Sequence, residues 1–528
     1  ICEGTGDTRI DCKATVDGYA WSYRVNNGEA MIVAESDGRM TCAVSPSPIG
    51  HITIPETLDG VKVTGIGYNA FCDCSGITSV TIPSTVKIIG RGAFARCRGL
   101  TSLAIPDGVA DIGRESFLGC TGLASVTIPD SVKGIWRNAF RGCAGLTSLA
   151  IPSGVTNIEG EAFRGCCALT EVTISSTVTN IARTAFCDCS ALTSFRVDDG
   201  NWFHDGNQFY KSENGLLLTK DGTTLVRGVI GNVTIPMSVT NIELCAFEGC
   251  CALRSVQIPS SVKVIGPYAF RNCKGLTSVM IPEGVTSIGH DAFHDCSGLK
   301  SVTLPKGVEI ICNSAFTGTA LTSVEIPSGV KTLERGAFSW CGGLKSVTIP
   351  ESVTSIGRDV FYNCGALESV NIPTGVTSIG LGAFNSCNGL SSVEMPETVT
   401  KIDQKAFLNC RGLKSVTMRG LCPASPNNVF EGCGNLKTIH VPANSKSWAG
   451  LKEWQGKKLV FGDGSKSVAE KISVAEKLGE CDFFLNKDFK KNAKFYLCLF
   501  SASWCGPCRR EMPRIAKTYA ETLKDNPD

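Results

Sequence analysis

A motif of the form Leu-x-x-Val-x-Ile-Pro-x-x-Val-x-x-Ile-Gly-x-x-Ala-Phe-x-x-Cys returns about every 23 residues along most of the chain. Ile-Pro or a close relative begins at 54, 82, 105, 128, 151, 235, 258, 281, 304, 326, 349, 372, 395 and 441. A unit this short cannot bury its own apolar face, so its neighbours must do it, and the architecture that lets each unit cover the next is a stacked array, a solenoid. About 16 units run from residue 51 to residue 445, which turns most of the 528 residues into one array instead of several globular domains.

One unit shows how the slots divide the work. In residues 100–120, Leu100, Leu103 and Ile105 alternate as the inward side of a short strand, leaving Thr101, Ser102 and Ala104 for the outer face. Pro106 ends the strand, Val109 and Ile112 continue the apolar stripe, Gly113 permits a tight turn, and Phe117 with Cys120 closes the convex side. The spacing of Ile-Pro, Ala-Phe and Cys resembles the BspA-like (Treponema-type) leucine-rich repeats. That resemblance implies a leucine-rich-repeat solenoid, β-rich, with short strands and returns made of turns or short helices. It also implies an exported protein, extracellular, at the cell surface or periplasmic, with an adhesion-like binding role.

Composition narrows the partners. With 51 basic and 49 acidic residues and no Lys/Arg run, neither nucleic acid nor an anionic membrane is favoured, so recognition by shape and hydroxyls is expected. No apolar stretch approaches the ~20 residues of a transmembrane helix. The chain opens ICEGTGDTRI, without an initiating Met or an apolar signal segment, and is read as processed or incomplete. A monomer is expected.

Departures from the repeat mark the boundaries. Residues 1–50 are read as an N-terminal cap hairpin, in which Tyr19, Trp21 and Tyr23 alternate before Asn27-Gly28. Extra residues at about 198–231 carry Gly215–Thr219 and Thr223–Arg227 on either side of Asp221-Gly222, a hairpin signal, and are similar to the island hairpins of the same family. The unit containing Ala315-Phe316 is one residue short and has Thr319 in the Cys slot, so the stack is expected to bend or slip there, without functional consequence. Residues 446–461, with Trp448 and Trp454, are read as a second cap, and residues 462–480, polar and free of aromatics, as a linker containing a short helix.

Residues 481–528 read differently. An apolar run from Phe495 to Phe500 is followed by a turn and a helix on which Met512, Ile515, Tyr519 and Leu523 recur at helical spacing. The sequence Trp504-Cys505-Gly506-Pro507-Cys508 between them resembles the thioredoxin superfamily, in particular its TlpA-like and tryparedoxin-like branches, and implies the start of an α/β thioredoxin-like domain. A thiol facing a helix N-terminus is drawn toward thiolate, so Cys505 is the expected attacker on a protein disulfide and Cys508 the resolving thiol, with Trp504, Gly506 and Pro507 framing them. A CxxC pair is also half of a zinc site, but no second ligand pair stands nearby, so no metal or cofactor is expected. Only 20 residues follow Cys508, too few for the remaining strands and cis-Pro loop of that fold. Turnover is not expected from the chain as it stands, and the natural protein is expected to continue past Asp528.

Half of the 28 cysteines share one repeat slot, from Cys74 to Cys433, and are read as a column of small buried hydrophobes. Cys72, Cys167, Cys187, Cys245 and Cys251 lie off the column and have the option of pairing with it; Cys2, Cys12 and Cys42 have the option of stapling the N-terminal cap in an oxidising compartment. His290, His294 and Cys296 form the best metal-like cluster but stand at variable slots, so a solvated face is expected. No Ser/His/Asp or Cys/His catalytic set is visible in the array.

What the array offers is its strand face. One outward position is Ser in unit after unit: Ser102, Ser125, Ser148, Ser255, Ser278, Ser301, Ser323, Ser346, Ser369, Ser392 and Ser415. At a strand spacing of ~4.8 Å these make a long hydroxyl stripe. Each serine alone is explained as a small residue in a crowded sheet, while the face as a whole is read as a low-charge surface for a protein or glycan ligand. No aromatic platform for sugars stands out on that face.

Overall fold

The computed structural model describes residues 10–34, 42–199, 206–426, 428–443 and 445–462. Among these there is no helix; every element is a strand, and the returns are turns. The cause lies in the backbone. On the return side, left-handed residues recur four apart, as at Glu115 (φ 59°) and Gly119 (φ 70°), Asp291 (53°) and Asp295 (55°), or Lys405 (59°) and Asn409 (57°). A right-handed helix cannot pass through such a pair.

Each unit has three sides. The first is a strand of three to five residues, such as Ser102–Ala104, Ser148–Ile151 or Leu253–Gln257. The second is a two-residue strand, such as Asp111–Ile112 or Ser355–Ile356, and the third is the Ala-Phe to Cys turn. Both kinds of strand pair in parallel with their counterparts one unit on: Ser102 opposite Ser125, and Asp111 opposite Gly134. The two-residue strands join two long sheets of 11 strands each, whereas the longer strands fall into five separate sheets of four, three, two, two and eight. The Gly of Ile-Gly serves close approach between units: a Cβ on Gly113 would stand 2.6 Å from the carbonyl oxygen of Ile89.

The core is a column of phenylalanines. From Phe71 to Phe186, and again from Phe247 to Phe430, the rings stack with centroids 4.8–5.8 Å apart. Each ring is fully or almost fully buried. Beside it runs the cysteine column, which does more than fill space. In most units the thiol donates to the Phe carbonyl of the unit before: Cys97 to Phe71 at 3.0 Å, Cys120 to Phe94 at 3.1 Å, Cys387 to Phe361 at 3.1 Å, Cys433 to Phe407 at 3.0 Å. A buried carbonyl with spare lone-pair capacity is thereby satisfied, which an alanine in the same slot would not do.

Three features interrupt the stack. At the N-terminal end, Ile10–Val16, Tyr19–Asn26 and Glu29–Ile32 form an antiparallel meander whose last strand pairs in parallel with Val61–Ile66; Trp21 packs edge-on against Phe71 at 6.2 Å. Between the two halves, Tyr210–Glu213, Leu216–Thr219 and Thr224–Arg227 repeat the same device, and the last of them pairs in parallel with Asn241–Ile242. Here Phe186 meets Phe195 edge-on, and the Tyr210 hydroxyl accepts the N–H of Ile181 at 2.9 Å. At the other end, Trp454 packs edge-on against Phe430 at 5.9 Å, and Trp448 is fully buried, its indole N–H donating to Gly420 at 3.0 Å.

The short unit does not break the core. Phe316 stacks on Phe293 at 5.3 Å and on Phe338 at 5.5 Å, and the two-residue strands keep their pairing, Ile310 opposite Thr332. The wide-strand side does part between Ser301–Thr303 and Ser323–Glu325, as it also does at units of full length. Thr319 keeps a donor in the Cys slot, but turned to its own unit: its hydroxyl donates to Phe316 at 2.9 Å.

Candidate functional site

The serines of the stripe stand in register across the wide strands. Ser323, Ser346, Ser369, Ser392 and Ser415 are consecutive partners, as are Ser278 and Ser301, and Ser102 and Ser125. Ser148 faces Glu171, and Ser255 faces Asn232. Ten of the eleven are exposed and Ser415 is half-buried, because strand alternation sends their neighbours, such as Leu103 and Val347, into the core. Among the described residues only Ser255 of the eleven bonds within the protein, to Asn232 Oδ1 at 2.8 Å. The others hold their hydroxyls toward solvent. One residue before the stripe, threonine hydroxyls are spent on the stack itself, as where Thr170 donates to Thr147 and Thr193 to Thr170.

The cysteines separate by environment. Cys12 is disulfide-bonded, while every other described cysteine, including Cys42, Cys72, Cys167, Cys187, Cys245 and Cys251, is free. Burial pushes five of the column thiols up, to about 12 for Cys120, Cys189 and Cys387 and to about 11 for Cys250 and Cys341. They are protonated donors at neutral pH, and poor nucleophiles.

Among the described residues the one group able to offer three metal donors is Cys187, Cys245 and Glu248, buried at the island with ligand atoms all within 4.8 Å of one another. Its surroundings oppose a cation. The buried guanidinium of Arg227 stands 3.9 Å from the Cys187 sulfur, donating to the carbonyl of Glu248 at 2.7 Å and to that of Cys245. The Glu248 carboxylate already carries Arg164 at 3.2 Å and Arg271 at 3.9 Å. The node therefore ties the two halves of the stack together through charge-assisted hydrogen bonds. His290 and His294 are turned to carboxylates instead, His294 to Asp291 at 2.6 Å and His290 to the same residue at 3.2 Å, while the Cys296 thiol is used on Phe270 at 2.9 Å.

Trp504, Cys505, Gly506, Pro507 and Cys508 lie outside the described residues. One residue that the sequence reading passes over is Trp340, exposed on the turn side. The signal was available: the slot just before the column cysteine is Gly, Asn or Asp in most units and tryptophan in this one.

The BspA type leucine rich repeat region matches in six copies over residues 48–213, 229–345 and 331–450, well over half of the chain. Among solved structures, a leucine-rich repeat protein from Eubacterium ventriosum is 23% identical over 71% of this chain and 95% of its own, with a TM-score of 0.51, and shares the fold. A leucine-rich repeat protein from Bacteroides ovatus (24% identity, 87% of this chain and all of its own, TM-score 0.48) is also similar. So is a leucine rich cell surface protein from Faecalibacterium prausnitzii (29%, 68% and 94%, 0.48). Thioredoxin-2 of Pyricularia oryzae is 44% identical over 54 residues, which are 10% of this chain and 30% of that protein. Since the repeat matches over most of its length, the chain belongs to the BspA-type leucine-rich-repeat family.

Proposed function

We propose that the array is the binding scaffold of an exported, surface-associated protein that works as a monomer and takes a protein or glycan ligand on its wide-strand face in an adhesion-like role. The observation that carries this reading is the serine row: hydroxyls held in register over consecutive strands, exposed and without partners in the protein, on a surface of little charge. Such a surface supplies many weak donors and acceptors at fixed spacing, suited to broad contact more than to chemistry on a small substrate. Membership of a family with a cell-surface relative supports an extracellular, cell-surface or periplasmic place. The test is retention of the protein on immobilised mucin and a panel of matrix and serum proteins. The triple variant Ser323→Arg, Ser346→Arg, Ser369→Arg should lose that retention while melting like its parent. Undiminished retention would rule out this face.

A second reading has its own observation, the likeness of 54 residues to a thioredoxin together with the Cys505–Cys508 motif. In it, residues 481–528 begin a thioredoxin-like module, Cys505 attacks a protein disulfide, and the repeats recruit the substrate. Reduction of insulin disulfides that disappears in Cys505→Ser would favour this enzyme-first reading. Full retention on the panel by residues 1–462 alone would favour the scaffold.

A further inference from the structure

In the slot immediately before the column cysteine the backbone is left-handed in unit after unit: Asn272 at φ 60°, Asp295 at 55°, Gly318 at 70°, Asn363 at 59°, Gly432 at 76°. Gly, Asn and Asp enter that conformation at little cost, whereas a bulky aromatic does so against its steric preference. Trp340 holds it at φ 61°, with its ring 56% exposed. Arg96 (φ 60°) and Ser386 (φ 64°) hold it too, so the repeat sets the conformation, and what distinguishes this unit is a large aromatic there that burial does little to stabilise.

The ring is held in place. Tyr362 packs edge-on to it, with centroids 5.5 Å apart at 69°, and the backbone N–H of Trp340 donates to the Tyr362 carbonyl at 2.7 Å, which fixes the turn that carries the ring. Both rings line a cleft of about 760 Å³ that they share with His294, Asp295, Arg335 and Asp359. The unit that is one residue short lines the same cleft through Gly318, whose bare backbone keeps it open: a Cβ there would stand 2.4 Å from Asp295 Oδ1. The lining carries one arginine and two aspartates, so base is not in excess. Asp359 accepts from Arg358 at 2.9 Å and stands 3.9 Å from Arg335, and His294 lies between Asp291 and Asp295, at 2.6 and 3.6 Å.

We propose that this cleft is a second binding site, separate from the strand face, and that it takes a neutral saccharide. A pyranose presents a flat patch of C–H groups ringed by hydroxyls. Trp340 offers the matching apolar plane, carboxylates accept pairs of hydroxyl protons, and Arg335 donates back to sugar oxygens. The lack of any excess of base argues against a sulfated or sialylated glycan. An apolar peptide would desolvate the carboxylates without pairing them.

The experiment offers the full 528-residue chain to an array of neutral gluco-, manno-, galacto- and xylo-oligosaccharides beside sialylated and sulfated ones, with every hit titrated by calorimetry. Trp340→Gly is the informative variant, because glycine suits the left-handed slot and the fold should survive, as its unfolding midpoint would show. At least one neutral oligosaccharide should bind, at least about tenfold more weakly in Trp340→Gly, as expected for loss of an aromatic anchor. Tyr68→Ser, which removes a different exposed aromatic, should bind like the parent. Absence of any neutral hit, hits confined to acidic glycans, or equal binding by Trp340→Gly would each overturn the proposal.

Discussion

The wide-strand face and the turn side are built from the same units, yet they are organised differently. On the turn side, ring stacks on ring through each half of the array, including the unit that is a residue short, and in most units a thiol bonds to the Phe carbonyl of the unit before. On the strand face the sheet parts at four places, and among the described residues the serine hydroxyls of the stripe, Ser255 apart, have no partner in the protein. The contrast teaches that cohesion between units is concentrated on one side of the solenoid, leaving the other side free to change its surface at small cost. Cutting into each side in turn tests the division.

The largest loss is expected where the stack is continuous on both sides of the mutated residue. Phe361→Ala leaves a ring-sized cavity between Phe338 and Phe384 and should cost about 3–5 kcal/mol, read from urea unfolding. A cost below that of a surface change would contradict the assignment of cohesion to the ring column. Next comes the island node. Arg227→Ala removes two buried charge-assisted hydrogen bonds, to the carbonyls of Cys245 and Glu248, which keep the N–H groups of Glu248 and Asp188, and should cost about 3 kcal/mol, with loss of cooperativity between the halves visible in calorimetry as a broadened or divided transition.

A smaller effect is expected from the thiols. Cys387→Ala should cost about 1–2 kcal/mol, since it removes a buried atom and one donor to the Phe361 carbonyl, which keeps the N–H of Cys364. The same column sets an alkaline limit. Burial holds these thiols above their ordinary value, so unfolding releases protons at high pH. The stability they contribute is complete below about pH 8.5–9 and is lost as pH rises toward 12. The midpoint of thermal unfolding should fall steeply over that interval, and Ellman titration of the native protein at pH 8 should find few reactive thiols until denaturant is added. The smallest effect belongs to the strand face: Ser346→Ala should move the unfolding free energy by less than about 0.5 kcal/mol. A large change there would make the serine row part of the structure, not a surface held for a ligand.

Much of this was legible in the repeat. The alternation of Leu100, Leu103 and Ile105 places Ser102 outward, and the constant period puts each serine opposite the next, because parallel strands one unit apart share a register. The second sheet was read only as an apolar stripe, since a strand such as Asp111–Ile112 buries one side chain and shows no alternation. Cysteine was legible as a small buried residue but not as a donor, because the acceptor belongs to the neighbouring unit and lies 26 residues away in sequence. Arg227 enters the sequence reading only as the end of a hairpin strand; the crossing of three segments at the island is what buries it. Trp340 required the backbone angle of its slot before its exposure became informative.

The antiparallel meander at 210–227 starts the second half as the N-terminal meander starts the first, and it holds the last two-residue strand of the first half through Tyr210. A ladder of like rungs, pulled from its ends, would peel rung by rung with each loss exposing the next. Here peeling from either terminus reaches a station where the exposed edge is already covered. Under tension the array should therefore yield in two stages, so one half can unravel while the other keeps its shape.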